Sequence, residues 1–429
     1  MTLAAVIRFD GDMDTQLLRA CLDELIERHE NLRVSFGLDS DGGYVNLASS
    51  LAGYYRESVI PRGTPDWDRF SAACDMITAH QREEFDITRP PLFRVLLVRL
   101  SVTSYLLNMA MDHIIADGRS VDILVRDLLA IYSARSVGRE PALPKIPAQY
   151  LDFAAWERSV LRGEFYGRHA SYWKDRLARV GPIPPSGLTD PEPPGGPAAG
   201  GIVRASISGR EKRQLDQLLK ARGIGMVPLV SAALKAAVIT KRVGMTDGER
   251  WNVGFMASAA NRGHPATREA FGYFATPIVL YSEFDVNPTL EEMFEREAAA
   301  HLQALRYQAF PHALVIKELA PQLYGARHRD EVPDVAPYVQ FAVEELKEHG
   351  DQQLATRELR AERIRIRRNV IPGGGLRFIG TASGERLSID LLYRTDLYRE
   401  QWAQHLADTT GHYLRLMISE SASRLEPMR

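Results

Sequence analysis

Residues 112 to 118, Asp112-His113-Ile114-Ile115-Ala116-Asp117-Gly118, bring an imidazole, two carboxylates and a glycine together in seven positions. An imidazole with an ordinary pKa of about 6.5 suits proton transfer at neutral pH. A general base needs one ring nitrogen aimed at a substrate N–H or O–H and the other held by a hydrogen bond, and His113 is the candidate. Asp117 has two readings: the N-cap of a following helix, or an inward carboxylate that must pair with an arginine because an unpaired buried charge is costly. Gly118 permits a backbone shape or a close approach that a side chain would block, and its N–H near a helix start is placed to face a developing oxyanion.

The flanking residues supply the elements that position this group. Tyr105 to Met111 reads as a mostly buried strand, and Val121, Leu124, Leu128 and Ile131 recur at helical spacing after it. Earlier, Asp14 is a predicted cap for a helix carrying Leu17, Leu18, Cys21, Leu22, Leu25 and Ile26, and Leu92 to Leu100 reads as a strand. A stretch rich in proline and glycine, 181–201, favours neither helix nor strand and predicts a linker between an N-terminal lobe, 1–180, and a C-terminal lobe, 202–429. In the second lobe strands are predicted at 203–207, 251–256, 276–281 and 387–393. Ser208 is a predicted cap for a helix through Leu215, Leu218 and Leu219, and further helices are expected at 227–240, 291–306 and 399–416. Two α/β halves of related architecture are expected.

Composition narrows the function classes. A net charge of -2 leaves no electrostatic footprint for nucleic acid, and no block of like charge suggests a membrane surface. Two cysteines, Cys21 and Cys74, are too few for a disulfide framework or a cysteine-rich zinc site, which favours a reducing compartment. The N-terminus lacks the basic start and apolar core of a signal peptide, and no apolar run reaches the roughly 18 residues of a membrane span. The expectation is a cytoplasmic protein with no nucleic-acid or membrane partner.

The motif resembles the His-His-x-x-x-Asp-Gly signature of nonribosomal peptide synthetase condensation domains. Other segments are similar to that family's motifs, in its order. Arg28-His29-Glu30-Asn31-Leu32-Arg33-Val34-Ser35-Phe36 resembles Arg-His-Glu-x-Leu-Arg-Thr-x-Phe, and Phe85 to Leu92 resembles Phe-Asp-Leu-x-x-x-Pro-Leu. Tyr150-Leu151-Asp152-Phe153-Ala154-Ala155-Trp156 is similar to Tyr-x-Asp-Tyr-Ala-x-Trp, and Tyr172-Trp173 to the Tyr-Trp pair that follows. Phe271-Gly272-Tyr273-Phe274-Ala275-Thr276 resembles Ile-Gly-x-Phe-Val-Asn-Thr with Ala275 in place of Asn, and Gln308 to His312 a degenerate Gln-Asp-x-Pro-Phe.

The resemblance implies an α/β protein of two chloramphenicol-acetyltransferase-like lobes forming a V-shaped pseudo-dimer with a central tunnel. It implies acyl or aminoacyl transfer from a carrier-protein phosphopantetheine thioester to an amine or hydroxyl acceptor. The carrier proteins would be partners in trans, with no metal and no bound cofactor. Carried over, His113 is the more important histidine, Asp117 is chiefly structural with Arg262 as its partner, and Gly118 lies against the thioester. Tyr273, Thr276, Gln340 and Ser120 would meet substrate or line the tunnel. Asp112 stands where the family has its first histidine and joins the catalytic group by position. Asp112, Asp117 and Ser120 also fit the Asp-x-x-x-x-Asp-x-x-Ser signature of heterocyclization domains, and loss of the first histidine is compatible with a platform that recruits partner enzymes without turnover. The family's initial Ser-x-x-Gln-x-Arg segment is missing, and no adenylation or carrier domain is attached, so a free-standing enzyme is expected.

Overall fold

A computed structural model describes residues 2–40, 42–179, 190–240, 251–284, 287–315, 340–345, 352–353, 359–364, 366, 375–419 and 423–425. The chain forms two compact units that interleave along the sequence: 1–159, 260–275 and 349–368 make the first, and 160–259, 276–348 and 369–429 the second. This corrects the expected division at the proline- and glycine-rich segment. The physical cause is pairing and packing between residues distant in sequence, described below. Of the linker itself, 181–189 lies outside the described residues, and a strand already begins at Gly200.

Elements are numbered along the chain. In the first unit they are β1 (Thr2–Asp10), α1 (Thr15–Arg28), β2 (Val34–Asp39), β3 (Gly42–Leu47), β4 (Tyr55–Val59), α2 (Arg69–Arg82), β5 (Phe93–Arg99), β6 (Ser104–Asp112), α3 (Gly118–Arg135), α4 (Tyr150–Val160), β11 (Gln352–Gln353) and β12 (Arg360–Ile364). Six strands form a sheet in the order β11-β12-β1-β6-β5-β4. Residues 360–364 pair antiparallel with β1, Val6 opposite Ile364, and so belong to the first unit despite their late position. β6 alternates between two layers, as the two-residue period of a strand requires. Leu107, Met109 and Met111 enter the core built with α1 and α3, while Leu106 packs with Ala73 and Ile77 of α2. Asp14 caps α1 as predicted, accepting from the Gln16 and Leu17 N–H groups at 2.9 Å each.

The second unit contains α5 (Gly163–Arg179), β7 (Gly200–Ser208), α6 (Gly209–Arg222), α7 (Met226–Ile239), β8 (Trp251–Ala259), β9 (Thr276–Phe284), α8 (Leu290–Arg306), α9 (His312–Leu314), β10 (Gln340–Glu345), β13 (Leu376–Ser383), β14 (Arg386–Arg394) and α10 (Glu400–Ser419). Its sheet order is β7-β14-β13-β10-β8-β9. Trp173 and Leu177 of α5 pack with Ile278 and Leu280 of β9, which places α5 here and not in the N-terminal lobe. The antiparallel pair β13–β14 leads into α10 much as β5–β6 leads into α3, so the expected kinship of the halves is visible in their order. Ser208 stands at the start of α6, but its hydroxyl makes no capping hydrogen bond, contrary to expectation. Gly209 at φ +58° turns the chain there, and its N–H is held by the Glu385 carbonyl. No single helix among the described residues is long and apolar enough to cross a membrane.

One buried polar cluster sits between α2 and the first sheet. Gln81 donates to the Asn108 Oδ1 at 2.5 Å, and the Asn108 amide donates to His80 Nδ1 at 2.8 Å. Burial lowers the His80 pKa to about 4, opposed by Glu83 and reinforced by Arg94 and Arg56. In the unfolded chain the ordinary value near 6.5 applies, so between these values the unfolded state binds the extra proton. The stability from neutral His80 is therefore complete above pH 6.5 and is lost as pH falls to 4. Urea unfolding at pH 7 and pH 4.5 is expected to show a loss that His80→Gln reduces by about 2 kcal/mol.

Candidate active site

The turn after β6 is built by Asp112. Its N–H is held by the Leu92 carbonyl at 3.0 Å, its Oδ1 accepts from the Ile114 N–H at 2.9 Å, and its carbonyl accepts from the Ile115 N–H at 3.1 Å. This Asx turn reverses the chain directly after the strand. His113 follows, half-buried, with its ring edge-to-face on Tyr273 at 4.9 Å between centroids and 67° between planes. Its Nδ1 is buried and has no hydrogen-bond partner among the described residues.

Asp117 is the centre of the arrangement, and both readings of it hold at once. It caps α3, its Oδ1 accepting from the Ser120 N–H and hydroxyl at 2.8 Å each. It also pairs with Arg262, whose Nη2 lies 3.1 and 3.3 Å from the two carboxylate oxygens. The Phe274 and Ala275 N–H groups donate to Oδ2 at 3.1 Å each. With Asp117 only 2% exposed and this many donors around it, no lone pair is left to take a proton from substrate. Arg262 Nη1 donates to the Thr267 and Ala270 carbonyls at 2.7 and 2.6 Å, and its guanidinium stacks on Phe274 at 4.0 Å. Burial lowers the Arg262 pKa, and Asp117 opposes that shift.

Ser120 is corrected from a substrate contact to a scaffold residue. It is fully buried, and its hydroxyl is shared among Asp117, the Gly272 carbonyl at 2.6 Å, the Gly272 N–H at 3.0 Å and Arg262 at 2.9 Å. Asp117 and Ser120 are thus both enclosed, and Asp112 shapes a turn. Ala275, where the family motif has Asn, serves Asp117 through its backbone N–H, which any residue but proline supplies. Gly118 opens α3 and is exposed; a Cβ there would meet no atom of the described residues within 4 Å, and its φ is not left-handed.

Several residues outside the seven hold the turn in place, and the sequence offered only motif membership as a sign of it. The Asn31 amide donates to the Ile115 carbonyl at 2.7 Å, gripping the loop midway between His113 and Asp117. Asp127 of α3 accepts from Arg28 at 2.8 Å, from Arg126 at 2.6 Å and from His29 at 3.1 Å. Burial alone would raise the Asp127 pKa, but these hydrogen bonds, His29 foremost, bring it down to about 2. The Leu151 N–H at the start of α4 donates to Glu30 at 3.3 Å, and Tyr150 beside it donates to the Tyr273 carbonyl at 3.0 Å.

The remaining expected residues lie in the second unit. Thr276 opens β9, buried and opposite Ala259 of β8; Gln340 opens β10, between Met256 and Arg377 in register. Among the described residues no group of three His, Cys, Asp or Glu side chains is placed to hold a metal ion.

The family model for the condensation domain matches residues 1–428. Chondramide synthase cmdD of Chondromyces crocatus is 25% identical over 98% of the chain, and surfactin synthase subunit 1 of Bacillus subtilis is 26% identical over 100%. Phosphinothricin tripeptide synthetase PhsC of Streptomyces viridochromogenes is 28% identical over 74%. The chain spans 10%, 11% and 28% of the lengths of these three relatives. Among solved structures, the X-domain in its complex with OxyB from teicoplanin biosynthesis shares the fold at a TM-score of 0.79 and 22% identity, covering 100% of this chain and 91% of that one. SgcC5 of Streptomyces globisporus does so at 0.76 and 19%, covering 98% and 93%.

The Asp117–Arg262 pair gives a direct test of the scaffold. Arg262→Met leaves a buried carboxylate without its counter-charge and is expected to cost about 3–5 kcal/mol in urea unfolding. Ser120→Ala, which strands the Gly272 N–H and carbonyl, is expected to cost about 1–3 kcal/mol.

Proposed function

The chain belongs to the condensation-domain family, and from that premise we propose that it joins an acyl or aminoacyl group, delivered as a phosphopantetheine thioester on a carrier protein, to an amine or alcohol acceptor. The observation that carries this reading is the open space over Gly118 among the described residues, at the end of the turn that begins with His113. Neither the backbone angle nor packing among the described residues calls for a glycine there, and glycine at a helix start forgoes stability that other residues provide. A reacting thioester is a fitting occupant.

In this scheme the acceptor nitrogen attacks the thioester carbonyl, the new C–N bond forms and the C–S bond breaks. His113 takes the proton from the acceptor and returns it to the departing sulfur, so the products are an amide and a free phosphopantetheine thiol. The N–H groups at the start of α3 face the oxyanion of the tetrahedral intermediate. Asp117 takes no part in proton transfer; it keeps the turn and the 272–275 segment in one geometry. The chain's own residues suffice for these steps, with no metal or resident cofactor, and the phosphopantetheine arm belongs to the carrier.

A second reading has one observation in its favour: the neighbouring X-domain structure is a complex with OxyB. On that reading this chain recruits a partner enzyme and does not turn over substrate.

Mass spectrometry of products from loaded carrier proteins and a panel of amine acceptors separates the two. The wild-type chain is expected to form a linear amide, and His113→Ala to lower the rate about 10²–10⁴-fold. Equal product from both proteins would remove His113 from the chemistry, a product cyclized with loss of water would indicate heterocyclization, and tight partner binding without product would favour recruitment. Gly118→Ala is expected to leave stability within about 0.5 kcal/mol while lowering the rate about tenfold. Asp112→Asn, which keeps the turn's acceptor, should stay within about threefold of wild type.

A further inference from the structure

We propose that Tyr273 is the positioning residue for His113, with Tyr150 as its anchor. The catalytic part of this inference rests on the acyl-transfer reading, but the positioning part does not. An imidazole that moves protons is ordinarily oriented by a hydrogen bond at its second nitrogen. That bond is missing here among the described residues, because Nδ1 of His113 is buried and unpartnered. The orienting contact is the edge-to-face pair with Tyr273, which biases the ring toward one rotamer by about two- to tenfold.

Tyr273 is itself unusually well aimed. On its N-terminal side, Gly272 is bonded through both N–H and carbonyl to the Ser120 hydroxyl. On its C-terminal side, the Phe274 N–H is bonded to Asp117. The Tyr273 carbonyl accepts from the Tyr150 hydroxyl at 3.0 Å. The Tyr150 ring lies so close to Gly272 that a Cβ there would stand 2.2 Å from its Cδ2. Gly272 is thus the residue that lets Tyr150 approach. The backbone on both sides of Tyr273 is pinned, yet the residue remains 38% exposed. An aromatic ring carried on so fixed a backbone and left partly outside the core is not there to fill it.

Removing the ring should free the imidazole while leaving Asp117 and Arg262 in place. The experiment uses the full chain labelled with ¹³C and ¹⁵N at histidine, the His113 ring signals being assigned from His113→Ala. Tyr273→Leu is expected to move and broaden the His113 ring resonances, Tyr273→Phe to leave them close to wild type, and Tyr150→Phe to shift them in the same direction as Tyr273→Leu but by less. Assayed with aminoacyl-carrier donors, Tyr273→Leu should lower kcat tenfold or more with KM within about twofold, and Tyr273→Phe should recover most of that loss. Unmoved ring resonances in both Tyr273→Leu and Tyr150→Phe would overturn the proposal. So would a Tyr273→Leu loss carried wholly by KM. If no carrier–acceptor pair turns over in the wild-type protein, the acyl-transfer reading fails alone, and the resonances still decide whether Tyr273 positions His113. Should Tyr273→Leu not fold, Tyr150→Phe decides by the same resonances.

Discussion

A single carboxylate organises the first unit's functional end. Asp117 is taken out of water, where its charge would be intolerable alone, and is compensated by an arginine, a helix start and two backbone N–H groups of the 272–275 segment. Each partner is itself fixed by a further bond: Arg262 by two carbonyls and an aromatic face, Ser120 by both polar groups of Gly272. The penalty for leaving any of them unpaired is what makes the geometry unique. His113, four residues before Asp117, inherits its position from this knot and from the Asx turn at Asp112. A buried acid of this kind is therefore worth more as an organiser than as a participant.

The same logic extends outward in a second tier. Asp127 draws Arg28, His29 and Arg126 to one point on α3, and Arg126 reaches on to Glu269 at 2.5 Å. Asn31 reaches across to the carbonyl of Ile115. The segment after α1 thus grips both the helix and the turn that precedes it. These contacts are polar and enclosed, so they specify a single arrangement where apolar packing alone would tolerate several.

Much of this was legible in the sequence, and the limits have physical causes. The strand–turn–helix order around His113 followed from apolar spacing, because both elements bury one face or two against a core. The pairing of Asp117 with Arg262 came from family resemblance; a separation of 145 positions leaves no local trace of it. Ser120 was misread because a hydroxyl in a motif looks the same whether it faces substrate or closes a cap; only its burial decides. Asn31 and Tyr150 were visible as motif members, but which carbonyl each would hold depends on long-range contact. The two-unit boundary failed for a related reason. Proline and glycine mark where regular structure stops, not which distant strand a later segment will join, and residues 360–364 carry no mark of their return to β1.

That return has a consequence for how the chain can be cut and recombined. The first unit is assembled from three stretches of sequence, so a fragment ending at the proline-rich segment would lack both the strand beside β1 and the arginine that neutralises Asp117. During synthesis, the loop bearing His113 leaves the ribosome well before the 260–275 stretch that supplies the Arg262 counter-charge. Chimeras that exchange the N-terminal half alone would inherit this mismatch. Crossover points that keep all three stretches from one parent preserve the knot, and they are the divisions the architecture itself recognises.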